Sequence, residues 1–223
     1  MTFKQLSPNS LIIYFKDEIT QENSQDVIRV YTAIKASKID AILDIIPSYS
    51  SIVIIFDLFK NSFENLQLQI EELNFSNSLS LENELINIDV YYGLEVGLDL
   101  KDMSQRTNLS IDQIIDIHSS KIYDIFAIGF LPGFAYMGNV EDSIKTSRLT
   151  TPRKSIPKGS VGIADVQTAI YPQSSPGGWN IVGQSMFKCF DKNIDSLSPF
   201  KVGSKVKFNP ITKKEFLYQG GNL

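Results

Sequence analysis

The 223-residue sequence holds one cysteine, Cys189, one histidine, His118, and one tryptophan, Trp179. A single cysteine excludes an internal disulfide framework and a cysteine-rich metal site. A single histidine excludes a multi-histidine metal centre, so no metal is expected. Cations are also short: 21 Lys and Arg stand against 25 Asp and Glu, a formal net charge of −4. They are scattered rather than blocked, which leaves no basic surface for a phosphate backbone and excludes nucleic acid as an expected partner. Long hydrophobic runs are missing too. The most apolar stretch, Ile125 to Met137, is too short to span a bilayer and is broken by Gly129, Pro132 and Gly133. No basic segment followed by an apolar core opens the chain, so no signal peptide is expected. These absences predict a soluble, cytoplasmic protein with no membrane partner.

What is present is ordinary globular material, 43% hydrophobic and 21% charged. It divides into two halves with different patterns, read as domains 1–85 and 86–223. In the first, Ser10–Phe15, Ile42–Ile46 and Ser51–Phe56 are β-rich, the last two joined by the turn-like Pro47–Ser50. Val27, Val30, Tyr31 and Ile34 recur at helical spacing after a cap at Asn23 or Ser24, and Phe63 to Leu73 predicts a second helix. The order suggests a small α+β domain, one antiparallel sheet covered on one side. No chemical motif appears there.

In the second half Ser110 and Gln113 form a capping box, followed by Ile111, Ile114, Ile115 and His118 at helical spacing. Short strand-like runs follow at Tyr123–Phe130, Ser160–Ala164, Gln167–Tyr171, Trp179–Gly183, Met186–Phe190 and Lys205–Phe208, cut by Gly and Pro. That pattern predicts a barrel or sandwich. Three loops between strands combine rigid Pro, permissive Gly and large aromatic or cationic side chains: Gly129–Tyr136, Thr151–Ser160 and Tyr171–Trp179. Grouped on one face they would form a pocket of mixed character, and scattered they would be barrel corners.

Four ordered motifs lie in these loops: Gly-Phe-x-Pro-Gly-Phe-x-Tyr at Gly129–Tyr136, Pro-Arg-x-x-x-Pro-x-Gly-Ser-Val-x-Ile at Pro152–Ile163, Gln-Thr-x-Ile-Tyr-Pro at Gln167–Pro172 and Ser-Pro-Gly-Gly-Trp at Ser175–Trp179. With Tyr91–Leu100, and with His118 ahead of Tyr123, they resemble the family of KipI, the 5-oxoprolinase B subunit and allophanate hydrolase subunit 1. The resemblance implies a mainly-β cyclophilin-like barrel after the α+β domain. It also implies two partners, a larger homologous subunit (of the KipA or allophanate hydrolase subunit 2 type) and a LamB/YcsF-type subunit. The implied reaction opens 5-oxoproline to glutamate at the expense of ATP. A five-membered lactam is a poor electrophile, and phosphorylating its carbonyl oxygen would expose the carbon to water. ATP is thus expected in the assembled complex, with no cofactor held tightly by this chain alone, which carries no Walker-type loop. The family also contains an inhibitor of a sporulation histidine kinase and subunits of allophanate hydrolase and urea carboxylase systems, which are the rival readings.

Single residues can then be weighed. Arg153, between Pro152 and Lys154, reads either as a ligand-anchoring cation or as a salt bridge across barrel loops. Arg148 is a second cation. His118 is either the proton-transfer group or a buried histidine at a helix end. Tyr136, Tyr171 and Trp179 read as pocket walls or core, with Trp179 favoured as a wall or subunit contact. Gly177 and Gly178 allow close backbone approach, and Gln167 and Ser175 could orient a substrate amide. Ser175 lacks a nucleophile elbow. Cys189 reads as an inert core residue. The sequence departs from the family pattern at Leu98 (Pro), Ser147 (Pro), Asp165 (Gly) and Gln184 (Arg).

Overall fold

The structure, a computed structural model, describes residues 1–75 and 85–223. The chain forms two compact units, Met1–Asn83 and Glu84–Leu223. The domain boundary expected after residue 85 abuts residues 76–84, which lie outside the described residues.

In the first unit, strands β1 (Thr2–Ser7), β2 (Ser10–Tyr14), β3 (Ile42–Pro47) and β4 (Ser51–Phe56) form an antiparallel sheet in the order β1-β2-β4-β3. Helices α1 (Gln21–Ser37) and α2 (Phe63–Glu71) bring Val27, Val30, Ile34, Leu66 and Ile70 against Leu11, Ile13, Ile52, Ile54 and Phe56. Strand β1 was not expected. It is an edge strand whose only core-packed side chain is Phe3, so its sequence carries no apolar alternation. The cap of α1 also differs from expectation. Thr20 accepts from the Asn23 N–H, while the Asn23 amide donates to the Lys16 and Glu18 carbonyls at 2.7 and 2.8 Å. Asn23 therefore fastens the chain leading into the helix rather than starting it.

In the second unit β5 (Leu85–Val90), helices α3 (Leu100–Thr107) and α4 (Ile111–Ser120), and strands β6 (Ile122–Ile128), β7 (Ala135–Gly138), β8 (Arg153–Ile156), β9 (Ser160–Ala164), β10 (Gln167–Ile170), β11 (Ser175–Gly177), β12 (Asn180–Gln184) and β13 (Lys205–Pro210) precede α5 (Lys213–Tyr218). Seven strands form one mixed sheet in the order β12-β9-β10-β7-β6-β13-β5, and β8 pairs with β11 in a separate ribbon. Just past β5, Tyr91 exchanges both main-chain hydrogen bonds with Gln184 of β12, each at 2.9 Å. That contact joins the two ends of the sheet and nearly closes it into a barrel.

Alternation along the strands builds two separate cores. Ala135, Met137, Val161, Ile163, Ile170 and Val182 face the barrel interior, with Ile114 of α4 and Phe208 of β13. Their neighbours Phe134, Ala164, Ala169, Tyr171 and Ile181 face the other side, under Ile156 of β8. Helix α4 starts with the expected capping box, both reciprocal bonds being made between Ser110 and Gln113. The expected strand at Met186–Phe190 is absent. There the Phe187 N–H is bonded by Ser185 Oγ and the Cys189 carbonyl by Ser198 Oγ, so side chains satisfy main-chain groups that a ladder would otherwise pair. Among the described residues no helix is long and apolar enough to cross a membrane.

Candidate functional site

The outward face of β7, β9, β10 and β12 gathers aromatic residues of two of the motif loops, Gly129–Tyr136 and Tyr171–Trp179, with Ile156 from the third. Phe134 is at the centre, with ring centroids 4.9 Å from Tyr136, 5.3 Å from Tyr171, 5.7 Å from Trp179 and 5.5 Å from Phe130. The contacts with Phe130, Tyr171 and Trp179 are edge-to-face, the arrangement aromatic quadrupoles favour. Small residues form the floor: a Cβ on Gly162 would come within 3.2 Å of Trp179 and Ile181. A Cβ on Gly177 would stand 2.4 Å from the Tyr171 hydroxyl, so Tyr171 can reach its position only over a glycine.

Arg148 covers this cluster. Its guanidinium lies 5.9 Å from the Trp179 ring centroid, and the residue is exposed. No carboxylate pairs with it among the described residues. The loop that carries it is held on both sides. The Leu149 N–H donates to the Gly178 carbonyl at 2.7 Å, and the Asn180 amide donates to the Ser147 and Ile163 carbonyls at 2.9 and 3.1 Å. Asn180, fully buried, accepts in turn from Arg106 at 2.7 Å. The phenols nearby stay neutral. Burial pushes Tyr171 up to about 12, against an opposing pull from Arg148, and burial also raises Tyr136. The face therefore offers an exposed cation above a buried aromatic cluster of which Tyr136 is partly exposed.

Arg153 does not belong to that exposed cation set. Its fork binds Asp99 with N–O distances of 2.7 and 2.9 Å, and the Asp99 side chain is 6% exposed. Asp99 Oδ2 also accepts from the Ile181 N–H at 2.6 Å, while its own N–H donates to the Ile181 carbonyl at 2.9 Å. Of the two readings of Arg153, ligand anchor or salt bridge across loops, the second is the contact present: a carboxylate within the chain fills its fork.

His118, read as a proton-transfer group or as a buried histidine at a helix end, takes the buried position. It is fully buried in the barrel interior, stacked on Phe208 at 4.8 Å. Nδ1 meets the Tyr92 hydroxyl and Nε2 the Thr168 hydroxyl, each at 2.8 Å. The Thr168 hydroxyl also stands 3.1 Å from the Gly162 carbonyl; a proton directed there leaves Nε2 as the donor to Thr168 and Nδ1 as the acceptor from Tyr92. Burial lowers its pKa to about 3, which keeps the ring neutral.

Other expectations sort the same way. Trp179 and Tyr171 are buried and belong to the outward-face core, not to an open wall. Tyr136 is partly exposed. Ser175 is buried, with its hydroxyl directed at the Pro176 carbonyl. Gln167 shares the face of Ala169 and Tyr171 but stands at the opposite end of β10. Cys189 is buried, its thiol pushed up to about 12 by burial. Among the described residues no group of His, Cys, Asp and Glu could hold a metal ion. Asp165, at the position of a family glycine, has φ 51°, a left-handed turn that a short polar side chain tolerates. Gln184 donates to the Lys158 carbonyl at 2.8 Å and so ties down the turn between β8 and β9.

Sequence reading missed Asp99, Asn180 and Arg106. Asp99 lay within the motif stretch Tyr91–Leu100, and that was the only signal. A buried acid is recognised by its partner, and the partner is 54 residues away.

Residues 1–200 match the family model described as carboxyltransferase domain, subdomain C and D. The chain is 30% identical over 225 residues to the 5-oxoprolinase B subunit of Bacillus subtilis, covering 96% of this chain and 94% of that protein. It is 37% identical over 168 residues to the 5-oxoprolinase B subunit of Haemophilus influenzae, covering 75% and 78%. Among solved structures, TTHA0988 superposes with a TM-score of 0.83 at 26% identity over 92% of this chain. The chain spans only 40% of that longer polypeptide. On the match over residues 1–200, the chain belongs to the carboxyltransferase subdomain C and D family and is similar to the 5-oxoprolinase B subunit.

Proposed function

We propose that this chain is a subunit of an ATP-dependent 5-oxoprolinase and supplies one wall of a site completed by other subunits. The observation that carries the reading is the likeness to a 5-oxoprolinase B subunit over 96% of the chain. Ring opening of the lactam by water, driven by ATP hydrolysis, needs a cation for the substrate carboxylate or the transferred phosphoryl group, a shaped apolar surface, and groups that move protons. Arg148 and Tyr136 meet the first two needs. For the third the face offers only the Tyr136 phenol among the residues weighed, since His118, Cys189 and Ser175 are all buried. The sequence carries no Walker-type loop, and in this reading ATP is held chiefly by the partners. Those partners are a larger homologous subunit and a LamB/YcsF-type subunit, and the nearly closed sheet serves as the family's cyclophilin-like barrel.

Co-expression of the chain with those two partners, followed by assay of glutamate release from 5-oxoproline, tests the reading. ATP-dependent glutamate formation that requires all the subunits supports it. A correctly assembled complex with no such activity refutes it.

A further inference from the structure

Among the described residues five other than glycine have a positive φ: Lys38, Asn108, Phe130, Asp165 and Leu197. Three have local reasons. Lys38 and Asn108 are the left-handed C-caps of α1 and α3, and Asp165 turns the hairpin between β9 and β10. Phe130 (φ 71°) and Leu197 (φ 58°) cap no helix, and their side chains are large and apolar, the kind this conformation tolerates least. Both project into solvent, 63% and 48% exposed, so burial within the chain does not offset the strain.

The two belong to adjoining turns. The Phe130 turn is closed by a bond from the Gly129 N–H to the Phe134 carbonyl at 3.1 Å. It packs so tightly on the next segment that a Cβ on Gly133 would lie 2.3 Å from the Cys189 carbonyl and 3.0 Å from Phe190 Cβ. Leu197 closes that next segment: its carbonyl accepts from the Asp191 N–H at 2.8 Å, and its N–H donates to the Ile194 carbonyl at 2.9 Å. Phe190 and Ile194 are exposed as well. The exposed Lys188, Lys192 and Asp195 surround this apolar group with charges of both signs. Phe130 also meets Phe134 edge-on, so the patch runs on into the candidate site.

We infer that Phe130, Phe190, Ile194 and Leu197 form the docking patch for the larger partner subunit, with Phe130 as a preorganised anchor. This rests on the functional reading above. Three observations choose that occupant. The patch adjoins a wall near which His118, Cys189 and Ser175 are all buried, and a second copy of this chain would bring the same buried set. The mixed-sign rim does not suit an anionic membrane surface, which calls for cations of one sign. In TTHA0988 the matching fold is joined to a longer polypeptide that continues beyond it. A strained turn that already holds an aromatic side chain out of the protein loses little freedom on binding, which is how anchors reach high affinity.

The test is interferometric binding of the purified larger partner to the chain, alongside sedimentation of the chain alone. Phe130→Ala and Leu197→Ala are each expected to weaken binding about tenfold or more, the loss typical of an aromatic or apolar anchor. Phe59→Ala, at an exposed phenylalanine of the other unit, should leave binding unchanged. Phe130→Gly should weaken binding equally while leaving the melting temperature of the isolated chain the same or higher, which separates a lost anchor from a misfolded one. Wild-type binding that both patch variants retain would overturn the inference while leaving the functional reading intact. So would a dimer of the chain alone that Phe130→Ala dissolves. A folded wild-type chain that binds no larger partner would refute the functional reading together with the patch.

Discussion

Arg153 grips Asp99 with both arms of its guanidinium, at 2.7 and 2.9 Å, and the same carboxylate holds the Ile181 N–H at 2.6 Å. One ion pair thus fastens the entrance of α3 to the ribbon strand β8 and to β12. Its geometry is that of the strong class of ion pairs, bidentate and largely out of water.

Removing Arg153 alone strands a buried carboxylate. Arg153→Ala should lower the unfolding free energy by about 3 kcal/mol, and Asp99→Ala by a similar amount. The double variant should cost clearly less than the sum of the two. Urea unfolding of the four proteins of the cycle measures the coupling, and additive losses would show that the pair does not act as a unit.

Trp179→Ala should destabilise the isolated chain by about 3–5 kcal/mol, because the indole is nearly buried against Phe134 and Tyr136. Thermal unfolding of the variant reads this directly. A fully stable variant would move Trp179 back to the surface role that its place in a glycine-rich loop suggested.

His118 gives the fold a specific acid sensitivity. The unfolded ring takes up a proton near pH 6.5, whereas burial holds the folded ring neutral down to about 3. The unfolded state therefore binds more protons throughout that window. The contribution is fully present above pH 6.5 and is lost as pH falls towards 3. Between pH 7 and pH 4.5 the wild type should lose roughly 2.5 kcal/mol more than His118→Gln, which has no titrating ring. Equal pH profiles for the two proteins would mean that the ring is protonated in the fold.

Much of the fold could be read locally. Ser110 and Gln113 announced α4, and the β9 run Ser160–Ala164 agrees with the strand at both ends. Helix α1 was legible in its apolar spacing, but its start was not, because Asn23 resembles a cap while bonding backwards to Lys16 and Glu18. The edge strand β1 lacked a pattern because only one of its side chains packs on the core. The motif loops left a shared face and separate barrel corners both open; Phe134, Tyr136, Tyr171 and Trp179 meet on one face, with Arg148 above Trp179. Sequence did not reveal which cation stays exposed. Arg153 and Arg148 look alike until Asp99 is placed in space, and that placement depends on long-range pairing of β12 with the segment before α3.

The proposed function assigns the ligand-binding cation to Arg148, exposed above Trp179, and steady-state glutamate release by the assembled complex judges that assignment. The isolated chain should release none above background. The complex carrying Arg148→Ala should assemble normally, keep the melting temperature of its isolated subunit within a few degrees, and turn over 5-oxoproline at least about tenfold more slowly, the loss expected for one charge-assisted contact. Full activity of the Arg148→Ala complex, or ATP-dependent glutamate release by the chain alone, would contradict the account.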